Sequence, residues 1–449
     1  MERDYLIQKK PFQALLIFVI PIILGNLFQQ TYTMADSAIV GQFVGEQALA
    51  AVGASYALTN IFICIAIGGG MGASVVVSRY FGAKLYDKMK LAIFTAFSAF
   101  LIISIVLGGI GLLFSRGIMI LLNTPTDVLD MATEYLNIYF LGLPFLFMYN
   151  VISSMFNALG KSKIPLCFLI FSSVFNIILD IVMVTYFQMG VAGVAWATLI
   201  AQGISALLSF FVFMSHLQKL CQVRTKIFQK QELLSMTKIA LPSILQQSTV
   251  SIGMMLVQSV VNSFGSQALA GFSAAMRIES ICIVPMMGIG NAISSYTAQN
   301  IGAHKLERVV SGYRVANWMA VAFAVILCLV LECFYRPIIA LFLGTSGTPV
   351  AIATGEGYLI FIGWFFALIG FKMAADGLLR GAGDMKLFTI ANLVNLFIRV
   401  FLSVTLAHRV GIAMVWYAVP IGWFINWLIS YLEYRTGKWK RIYASKPIA

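Results

Sequence analysis

Twelve long apolar segments, separated by short loops that carry most of the charge, constrain this chain more than any other feature. About 20 apolar residues suffice for a helix to cross the hydrocarbon core of a membrane. Inside that core no water bonds the backbone, so each crossing must satisfy its own peptide groups as a helix. The segments therefore predict an all-α integral membrane protein with twelve transmembrane helices.

The predicted segments are numbered 1 to 12 from the N-terminus. They cover residues 12–40, 48–78, 91–114, 133–156, 164–187, 191–216, 233–262, 270–300, 310–335, 355–379, 386–408 and 410–434. Only 10% of the residues are Asp, Glu, Lys or Arg, against about 25% in a soluble domain. This composition excludes a water-soluble globule. Segment 1 is too long for the core of a cleaved signal peptide, so we interpret it as an uncleaved helix.

Basic residues are distributed unevenly over the connections between segments. When the connections are assigned alternately to two sides, one side holds 24 Lys and Arg and the other holds three, Arg116, Arg336 and Arg409. The positive-inside rule then places both termini in the cytoplasm. We expect a multi-pass protein of the bacterial cytoplasmic membrane. The net charge of +13 reports orientation and suits an anionic inner leaflet, and the loops are too short for nucleic-acid-binding modules.

The chain repeats itself at an offset of 220 residues. The sequence GEQALA at 45–50 aligns with GSQALA at 265–270, and Gly82-Ala83 aligns with Gly302-Ala303 in the same register. Each repeat contains six segments, an even number, so both halves have the same orientation and their pseudo-twofold axis should run along the membrane normal. We predict two pseudo-symmetric six-helix bundles, with an N-lobe at 1–216, a cytoplasmic linker at 217–232, a C-lobe at 233–435 and a cytoplasmic tail at 436–449.

Polar residues in the membrane segments of the N-lobe form one group by depth. Asp36 in segment 1 and Asp180 in segment 5 both fall in the outer half of the lobe, and ionisable residues there cost free energy unless they are paired or hydrated. Tyr32 and Asp36, like Asn176 and Asp180, are four residues apart and share a helix face. Two nearby carboxylates in low dielectric do not both stay ionised, so we expect the pair to take up a proton or to hold Na⁺. The predicted ion-coupling site consists of Asp36, Asp180, Asn176, Thr198, Tyr32 and Tyr139, and its candidate Na⁺ ligands are Asp36, Asp180, Asn176 and Thr198.

A purely structural interpretation of these residues stays open. Asp36 could be wetted by the outer interface, and Asp180 could form only local hydrogen bonds. Pro21 lies in the middle of segment 1, where it removes a backbone hydrogen bond and can kink the helix. A hinge at Pro21 and an ordinary membrane-helix proline are both compatible with the sequence.

The C-lobe carries a different polar set. Its members are Arg277, Glu279, Lys372, Asp376 and Arg399. Lys372 and Asp376 are four residues apart in segment 10, which favours a structural pair that neutralises itself. Glu279 is expected to pair with Arg399 or Arg277 across helices.

No sequence pattern points to catalysis. The histidines lie at segment ends or in loops without metal-ligand spacing, and the six cysteines include no CxxC pair. Neither a phosphate-binding P-loop nor a nucleophile elbow occurs. We predict a protein that is not an enzyme and has no cofactor, driven by H⁺ or Na⁺ as coupling ion. An integral-membrane enzyme is the alternative class, and turnover without a membrane barrier would distinguish it.

Several motifs in both halves resemble those of bacterial multidrug and toxic compound extrusion (MATE) transporters. They are MADSAIVGQFVGEQALAAVG and its echo SFGSQALAGFSAAMRIES, the loop sequences SRYFGAK and AQNIGAHKLERV, and the pair MFNALGKSKIP and LLRGAGDMK. The resemblance covers essentially the whole chain. It implies an outward-opening V of two six-helix bundles that exports organic, often cationic, compounds in exchange for Na⁺ or H⁺.

The resemblance also assigns residues. The family's N-lobe ion-site positions fall on Asp36, Asn176, Asp180 and Thr198, with Tyr32 and Pro21 on the same helix as Asp36. The NorM-type branch has further acids in helices 7 and 10, where this chain offers Gln246, Gln247 and Asp376. A C-lobe sodium site is therefore not expected, and coupling is expected in the N-lobe.

The main rival function is a flippase for lipid-linked sugar or polysaccharide precursors. Such a protein needs cations that grip pyrophosphate, and Arg277, Lys372 and Arg399 keep this option open. For the exporter, the expected partners are small organic cations or drugs and membrane lipids. We expect no nucleic acid and no obligate protein partner.

Overall fold

A computed structural model describes residues 4–223, 225–343 and 347–440, and this part of the chain contains helices but no β-strand. Helices α1 to α14 cover Tyr5–Gln8, Pro11–Ile39, Glu46–Gly82, Tyr86–Leu121, Leu129–Ala158, Lys163–Ile181, Gly190–Leu220, Lys230–Asn262, Ser266–Gly302, Leu306–Leu343, Pro349–Gly363, Phe366–Ala382, Met385–Val410 and Ala413–Thr436. Two of them, α2 and α6, continue into wide π-helical turns at Val40–Val44 and Val182–Tyr186.

The predicted count of membrane crossings is confirmed, with one difference in shape. Within the described residues, eleven helices are long and apolar enough to span a membrane, and α11 and α12 make a twelfth span that is bent by 56°. Segment 10, predicted as one helix over 355–379, is thus broken at Trp364 and Phe365. Most helices extend beyond the predicted bounds, because hydropathy locates the apolar part of a helix and not its polar ends.

The helices assemble into two compact units. One consists of Met1–Ile23 with Leu245–Ala449, and the other of Leu24–Ile244. One boundary between the units falls inside α2, between Ile23 and Leu24, and the other falls inside α8, between Ile244 and Leu245. Each lies just after a proline within the helix, Pro21 in α2 and Pro242 in α8. The lobe limits drawn from the sequence follow the repeat and stay a prediction. The compact units are defined by contacts instead, so the first half of α2 is grouped with residues 245–449, and the first half of α8 is grouped with residues 24–229.

The first halves of α2 and α8 pack closely against glycines of neighbouring helices. A methyl group on Gly68 of α3 would lie 2.5 Å from the backbone nitrogen of Ile244 in α8. In the other unit, a methyl group on Gly288 of α9 would lie 2.7 Å from the Ile23 side chain of α2. Gly68 and Gly288 are 220 residues apart, the offset of the sequence repeat. The two units therefore use one device to seat equivalent half-helices.

The repeated motifs coincide with repeated backbone conformations. Gly45 and Gly265, which open GEQALA and GSQALA, precede α3 and α9 with φ of 108° and 96°. These φ values, combined with ψ near 180°, are essentially restricted to glycine. Lys84 and His304, which follow the aligned Gly-Ala pairs, have φ of 58° and 57°. The shared letters thus record shared helix starts and turns.

Lysine and arginine side chains hold the backbone just before α2 and just before α8, the two helices whose halves belong to different units. Arg308 donates to the carbonyls of Leu6 and Lys9 at 3.2 and 2.6 Å, and Lys305 donates to Ile7 at 3.2 Å. In the other unit, Lys90 donates to the carbonyls of Cys221 and Val223 at 3.2 and 2.6 Å, in the predicted linker. Loop carbonyls that would otherwise need water are thereby satisfied by charged donors.

Asp384 is a buried acid in the turn between α12 and α13, outside the spanning helices. Its Oδ2 is buried without a hydrogen-bond donor. Burial, and then the charge of the neighbouring Glu433 carboxylate, raise the pKa of Asp384 to about 6. Lys438, whose Nζ lies 3.7 Å from Glu433 Oε2, opposes this shift in the pKa. Because the folded-state pKa is raised, the folded chain holds this proton better than the unfolded chain, and stability falls as pH rises toward and through about 6.

Replacing Gly68 by alanine tests the glycine contacts. We expect Gly68→Ala to lower the free energy of unfolding by about 1 to 3 kcal/mol, since the methyl group meets backbone that cannot rotate away. Gly117→Ala is the matched control, because its methyl group would meet no atom within 4 Å. Thermal unfolding of the purified proteins in detergent would measure both. Equal midpoints for the two variants would contradict the proposed contact.

Replacing Asp384 by asparagine tests the acid pair. Asp384→Asn removes the charge that is costly above the raised pKa, so we expect a higher unfolding midpoint than wild type at pH 8 and a smaller difference near pH 4.5. Asp130→Asn is the control, because that side chain is 81% exposed. A difference between Asp384→Asn and wild type that does not change with pH would refute the assignment.

Candidate ion-coupling site

Three helices of the unit Leu24–Ile244 bring the predicted N-lobe residues together. Asp36 comes from α2, Asn176 and Asp180 from α6, and Thr198 from α7. Asn176 and Asp180 are 1% and 0% exposed, and Asp36 is partly buried. The i, i+4 spacing in α6 turns both of its polar side chains to one face, as the sequence predicted.

The two carboxyl groups are neighbours. The side chains of Asp36 and Asp180 lie close enough to interact with each other, and a hydrogen bond between them needs a proton on one of them, because two bare carboxylates have no donor. The remaining oxygens, Asp36 Oδ1 and Asp180 Oδ1, are buried without a hydrogen-bond partner. Among the described residues, no Lys or Arg forms an ion pair with either acid.

The Asn176 amide links the acid pair to its neighbours. Its orientation is assigned from the hydrogen bonds that it satisfies. Its nitrogen then donates to the Tyr32 hydroxyl at 3.1 Å and to Asp180 Oδ2 at 3.2 Å, and its oxygen accepts from the backbone nitrogen of Thr198 at 3.1 Å. Tyr32, Asn176, Asp180 and Thr198 thus form one hydrogen-bonded network, and their role in ion coupling stays a prediction.

Two wide turns close one end of this network with apolar side chains. The π-helical turns of α2 and α6 begin four and two residues after Asp36 and Asp180. Val40 and Val184 from these turns pack with Val191 and Val194 of α7 in one buried cluster. Single π-helical turns are common at functional sites. Here they interpose a dry layer between the acids and the loops that follow.

Tyr139 lies beside the network but is not bonded to the acids. Its hydroxyl donates to the carbonyl of Thr59 at 3.2 Å. With Tyr135 and Thr198 it lines a cavity of about 20 Å³, which is enough for roughly one water molecule. The sequence argument missed Tyr135, although it stands one helical turn before Tyr139 and carries the same kind of hydroxyl.

Pro21 is remote from the acid pair along the chain. It lies inside α2, fifteen residues before Asp36, and belongs to the other compact unit. A role in binding an ion directly is therefore excluded by its position. The suggested hinge stays a prediction.

The unit Met1–Ile23 with Leu245–Ala449 contains the predicted Lys372–Asp376 pair. Lys372 Nζ lies 2.9 Å from Asp376 Oδ2, and both side chains are almost fully buried. The Asp376 carboxylate also accepts from Gln246 at 3.0 Å, from Ser430 at 3.0 Å and from Asn392 at 3.3 Å. A carboxylate with four donors is a saturated structural centre, unlike the acid pair of the other unit.

Arg380 extends this network on the same face of α12. It donates to Ser294, Gln246, Asn291 and the carbonyl of Gly290, at 3.0 to 3.4 Å. Lys372, Asp376 and Arg380 follow one another at four-residue intervals. Segment 10 was predicted to end at residue 379, so Arg380 was counted among the basic residues of the following loop, and its buried position was missed because a basic residue near a helix end normally reaches water.

Glu279 has a hydrogen-bond partner that the sequence did not predict, while the expected Arg399 interacts with it through its charge without forming a direct ion pair. The buried Glu279 carboxylate accepts a hydrogen bond from the Tyr358 hydroxyl, and in the described part of the chain it has no ion pair within 4.0 Å. Arg277 points to an exposed surface, and Arg399 Nε is buried without an acceptor. A tyrosine was not considered as partner because Tyr358 lies in a separate segment with no spacing signal.

Comparisons with known proteins agree with this architecture. The MatE family model matches residues 21–182 and 242–405. The probable multidrug resistance protein YpnP of Bacillus subtilis is 31% identical over 96% of this chain and 97% of its own length, and the probable multidrug resistance protein YoeA of the same organism is 27% identical over 96% and 94%. A crystal structure of MATE in complex with MaL6 has a TM-score of 0.92 at 23% identity, covering 98% of this chain and 100% of that one.

The family match covers well over half of the chain, and its two stretches contain both Asp36 and Asp180 as well as both Lys372 and Asp376. The helical fold and the multiple apolar spans point the same way. The chain therefore belongs to the MatE family of multi-pass membrane transporters, the MATE multidrug efflux proteins.

Proposed function

We propose that this protein is a secondary active exporter that exchanges small organic, often cationic, molecules for H⁺ or Na⁺ by alternating access. The contact between Asp36 and Asp180 inside the spanning helices is the observation that carries the proposal. A buried acid pair without a basic partner has a strong affinity for a cation, and intramembrane acids of this kind mark ion pathways. Coupling needs only that ion and drug favour different states of the transporter.

A proton fits this geometry better than Na⁺. Two neighbouring carboxyl groups without a basic partner suit a shared proton. The candidate Na⁺ ligands are Asp36, Asp180, Asn176 and Thr198, and to bind Na⁺ the Asn176 amide would have to turn its oxygen toward the acids, whereas its nitrogen faces Asp180 here. Exchange of one H⁺ for one monovalent organic cation moves no net charge, so each pH unit across the membrane supports about a tenfold drug gradient.

The surroundings of the pair suggest how proton occupancy reaches the helices. Loss of the shared proton leaves two adjacent charges in a site whose outer end is closed by Val40 and Val184. Repulsion then acts on α2 and α6 close to their π-helical turns, the least regular parts of both helices. We propose that proton release and re-binding shift α2 and α6 near these turns from one arrangement to another. The Asn176 amide, which donates to both Asp180 and Tyr32, keeps these two side chains together.

The protein is further proposed to reside in the bacterial plasma membrane with both termini in the cytoplasm. The 24 to 3 distribution of basic residues supports this orientation. Small organic molecules and membrane lipids are the proposed partners. Neither nucleic acid nor an obligate protein partner enters the proposal, and no cofactor besides the coupling ion is needed.

A flippase for lipid-linked sugars is the rival proposal, and the buried Arg399 Nε without an acceptor is the feature in its favour. Lys372 is already neutralised by Asp376, and Arg277 is exposed, so these two cations do not form a buried pyrophosphate grip. Salt-dependent binding of a lipid pyrophosphate to the purified protein, lost in Arg399→Gln, would favour the rival.

Neutralising the acid pair tests the proposed coupling. We expect Asp36→Asn and Asp180→Asn each to reduce export of a fluorescent organic cation from proteoliposomes by about tenfold or more, because the proton no longer distinguishes two states. Asp130→Asn is the control, since Asp130 forms an exposed ion pair with Arg116. Wild-type rates in both coupling-site variants, with an imposed ion gradient, would show that the site is assigned wrongly.

The choice of ion is decided by the gradient that drives transport. We expect an imposed pH gradient to drive export in the absence of Na⁺, and an Na⁺ gradient at constant pH to fail. Thr198→Val would then have only a modest effect, because Asn176 keeps its bond to the Thr198 backbone nitrogen at 3.1 Å and loses only the hydroxyl contact at 3.3 Å. Export driven by Na⁺ alone, with loss in Thr198→Val, would instead assign the site to sodium.

The Lys372–Asp376 network is predicted to be structural. We expect Lys372→Met to lower the free energy of unfolding by about 3 to 5 kcal/mol, because it removes the direct ion-pair partner of the buried Asp376. Adding Asp376→Asn should recover most of this loss by removing the unpaired charge. Thermal unfolding and transport would be measured together. A stable Lys372→Met protein that has lost transport would assign a coupling role to this pair.

A further inference from the structure

An open groove of about 280 Å³ lies on the unit formed by Met1–Ile23 and Leu245–Ala449, between α10, α12 and α14. Its walls include Tyr313, Arg314, Trp318, Phe371, Trp427 and Tyr431. It is separate from the Asp376 network, whose acid is buried and does not line the groove. Neither the coupling site nor the structural network accounts for it.

Aromatic rings form a continuous ladder along this groove. The ring centroids of Phe371 and Trp427 are 6.3 Å apart, and those of Trp427 and Tyr431 are 5.3 Å apart. Tyr434 continues the ladder at 6.1 Å from Tyr431 and lies 4.7 Å from Tyr313. Trp and Tyr concentrate where a membrane protein meets the lipid headgroups. The ladder therefore marks the groove as a membrane-interface feature.

Two guanidinium groups stand at the mouth of the groove. Arg314 is an exposed wall residue, and Arg435 lies over the Tyr431 ring at 5.9 Å and donates to the Tyr431 hydroxyl at 3.1 Å. In the described part of the chain, neither arginine has a carboxylate within 4.0 Å. Both charges are thus available to an anion, and they disfavour an organic cation as occupant.

The charges and the apolar walls are arranged by depth. Arg314 is eight residues from the start of α10, about 12 Å along the helix, whereas Trp318 is about 18 Å along it. In α14 the order toward the helix end is Trp427, Tyr431 and Arg435. The start of α10 and the end of α14 both lie on the side of the membrane that is predicted to carry the N-terminus. The groove therefore has a basic mouth at the headgroup level and an aromatic, apolar interior at the level of the acyl chains.

We propose that this groove binds one anionic phospholipid. Arg314 and Arg435 hold the phosphate through charge-assisted hydrogen bonds, and an acyl chain lies along Trp318 and Phe371. Basic pockets between membrane helices on the cytoplasmic side are suited to acidic headgroups. The predicted orientation puts the mouth of the groove in the inner leaflet.

Lipid titration followed by native mass spectrometry tests the proposal. The full-length protein in detergent is titrated with phosphatidylglycerol or phosphatidylcholine, and the first lipid bound is quantified. We expect wild type to prefer phosphatidylglycerol and the double variant Arg314→Gln, Arg435→Gln to reduce that preference about 30-fold, equivalent to about 2 kcal/mol. The matched control is Lys226→Gln with Lys230→Gln, two exposed lysines of the same predicted face. An unchanged preference in the arginine variant, or an equal loss in the lysine variant, would overturn the proposal.

A second pair of variants tests the apolar part of the groove. Trp318 and Trp364 are 70% and 69% exposed, and only Trp318 lines the groove. Because both side chains are exposed, neither alanine variant should impair folding. We expect Trp318→Ala to weaken the first phosphatidylglycerol bound by about tenfold, through lost apolar contact area, and Trp364→Ala to leave it unchanged. Equal effects of the two variants would refute an acyl chain in this groove.

Discussion

Hydrocarbon does not solvate charge, and the placement of every buried ionisable group in this protein depends on that constraint. In the unit that contains Leu245–Ala449, fixed donors stabilise the buried acids. Asp376 accepts hydrogen bonds from a lysine and three neutral donors, and Glu279 accepts one from the Tyr358 hydroxyl. The other unit leaves Asp36 and Asp180 to each other. An acid pair with no basic partner, and with only the Asn176 amide as a fixed donor, must obtain a proton or a cation from outside to balance its charge, which is a property that a transporter can use and a structural centre avoids.

The repeat places the same mechanical device in both units but different chemistry. Gly68 and Gly288 receive equivalent half-helices, and Gly45 and Gly265 start equivalent helices in a conformation that favours glycine. Backbone geometry accounts for glycine at these positions. The polar positions differ between the units, since a side-chain network requires only that its own members satisfy one another. The two units thus share helix starts and helix contacts, but the proposed coupling site belongs to one of them.

Hydropathy, charge asymmetry and the repeat were sufficient to predict the helical class and the twelve crossings, because each of these signals acts over many residues. Depth along the helices also grouped Asp36, Asn176, Asp180 and Thr198, because each position can be counted from a predicted helix end. Contacts between distant segments left no such signal. Tyr358 bonds to Glu279, and Gln246 to Asp376, through packing that no spacing rule predicts. The break at Trp364 was missed because apolar composition continues across it.

The first residues of the chain, Met1–Ile23, pack in the unit that is completed by residues 245–449, which are synthesised much later. Leu6 and Ile7 are held by Asn300, Lys305 and Arg308, and Ile23 packs on Gly288. At a synthesis rate of about 5 to 20 residues per second, the ribosome needs on the order of half a minute to supply these partners. The beginning of the chain therefore reaches the membrane first and finds its final place among the last, and until then its inner face is available to a chaperone or an insertase.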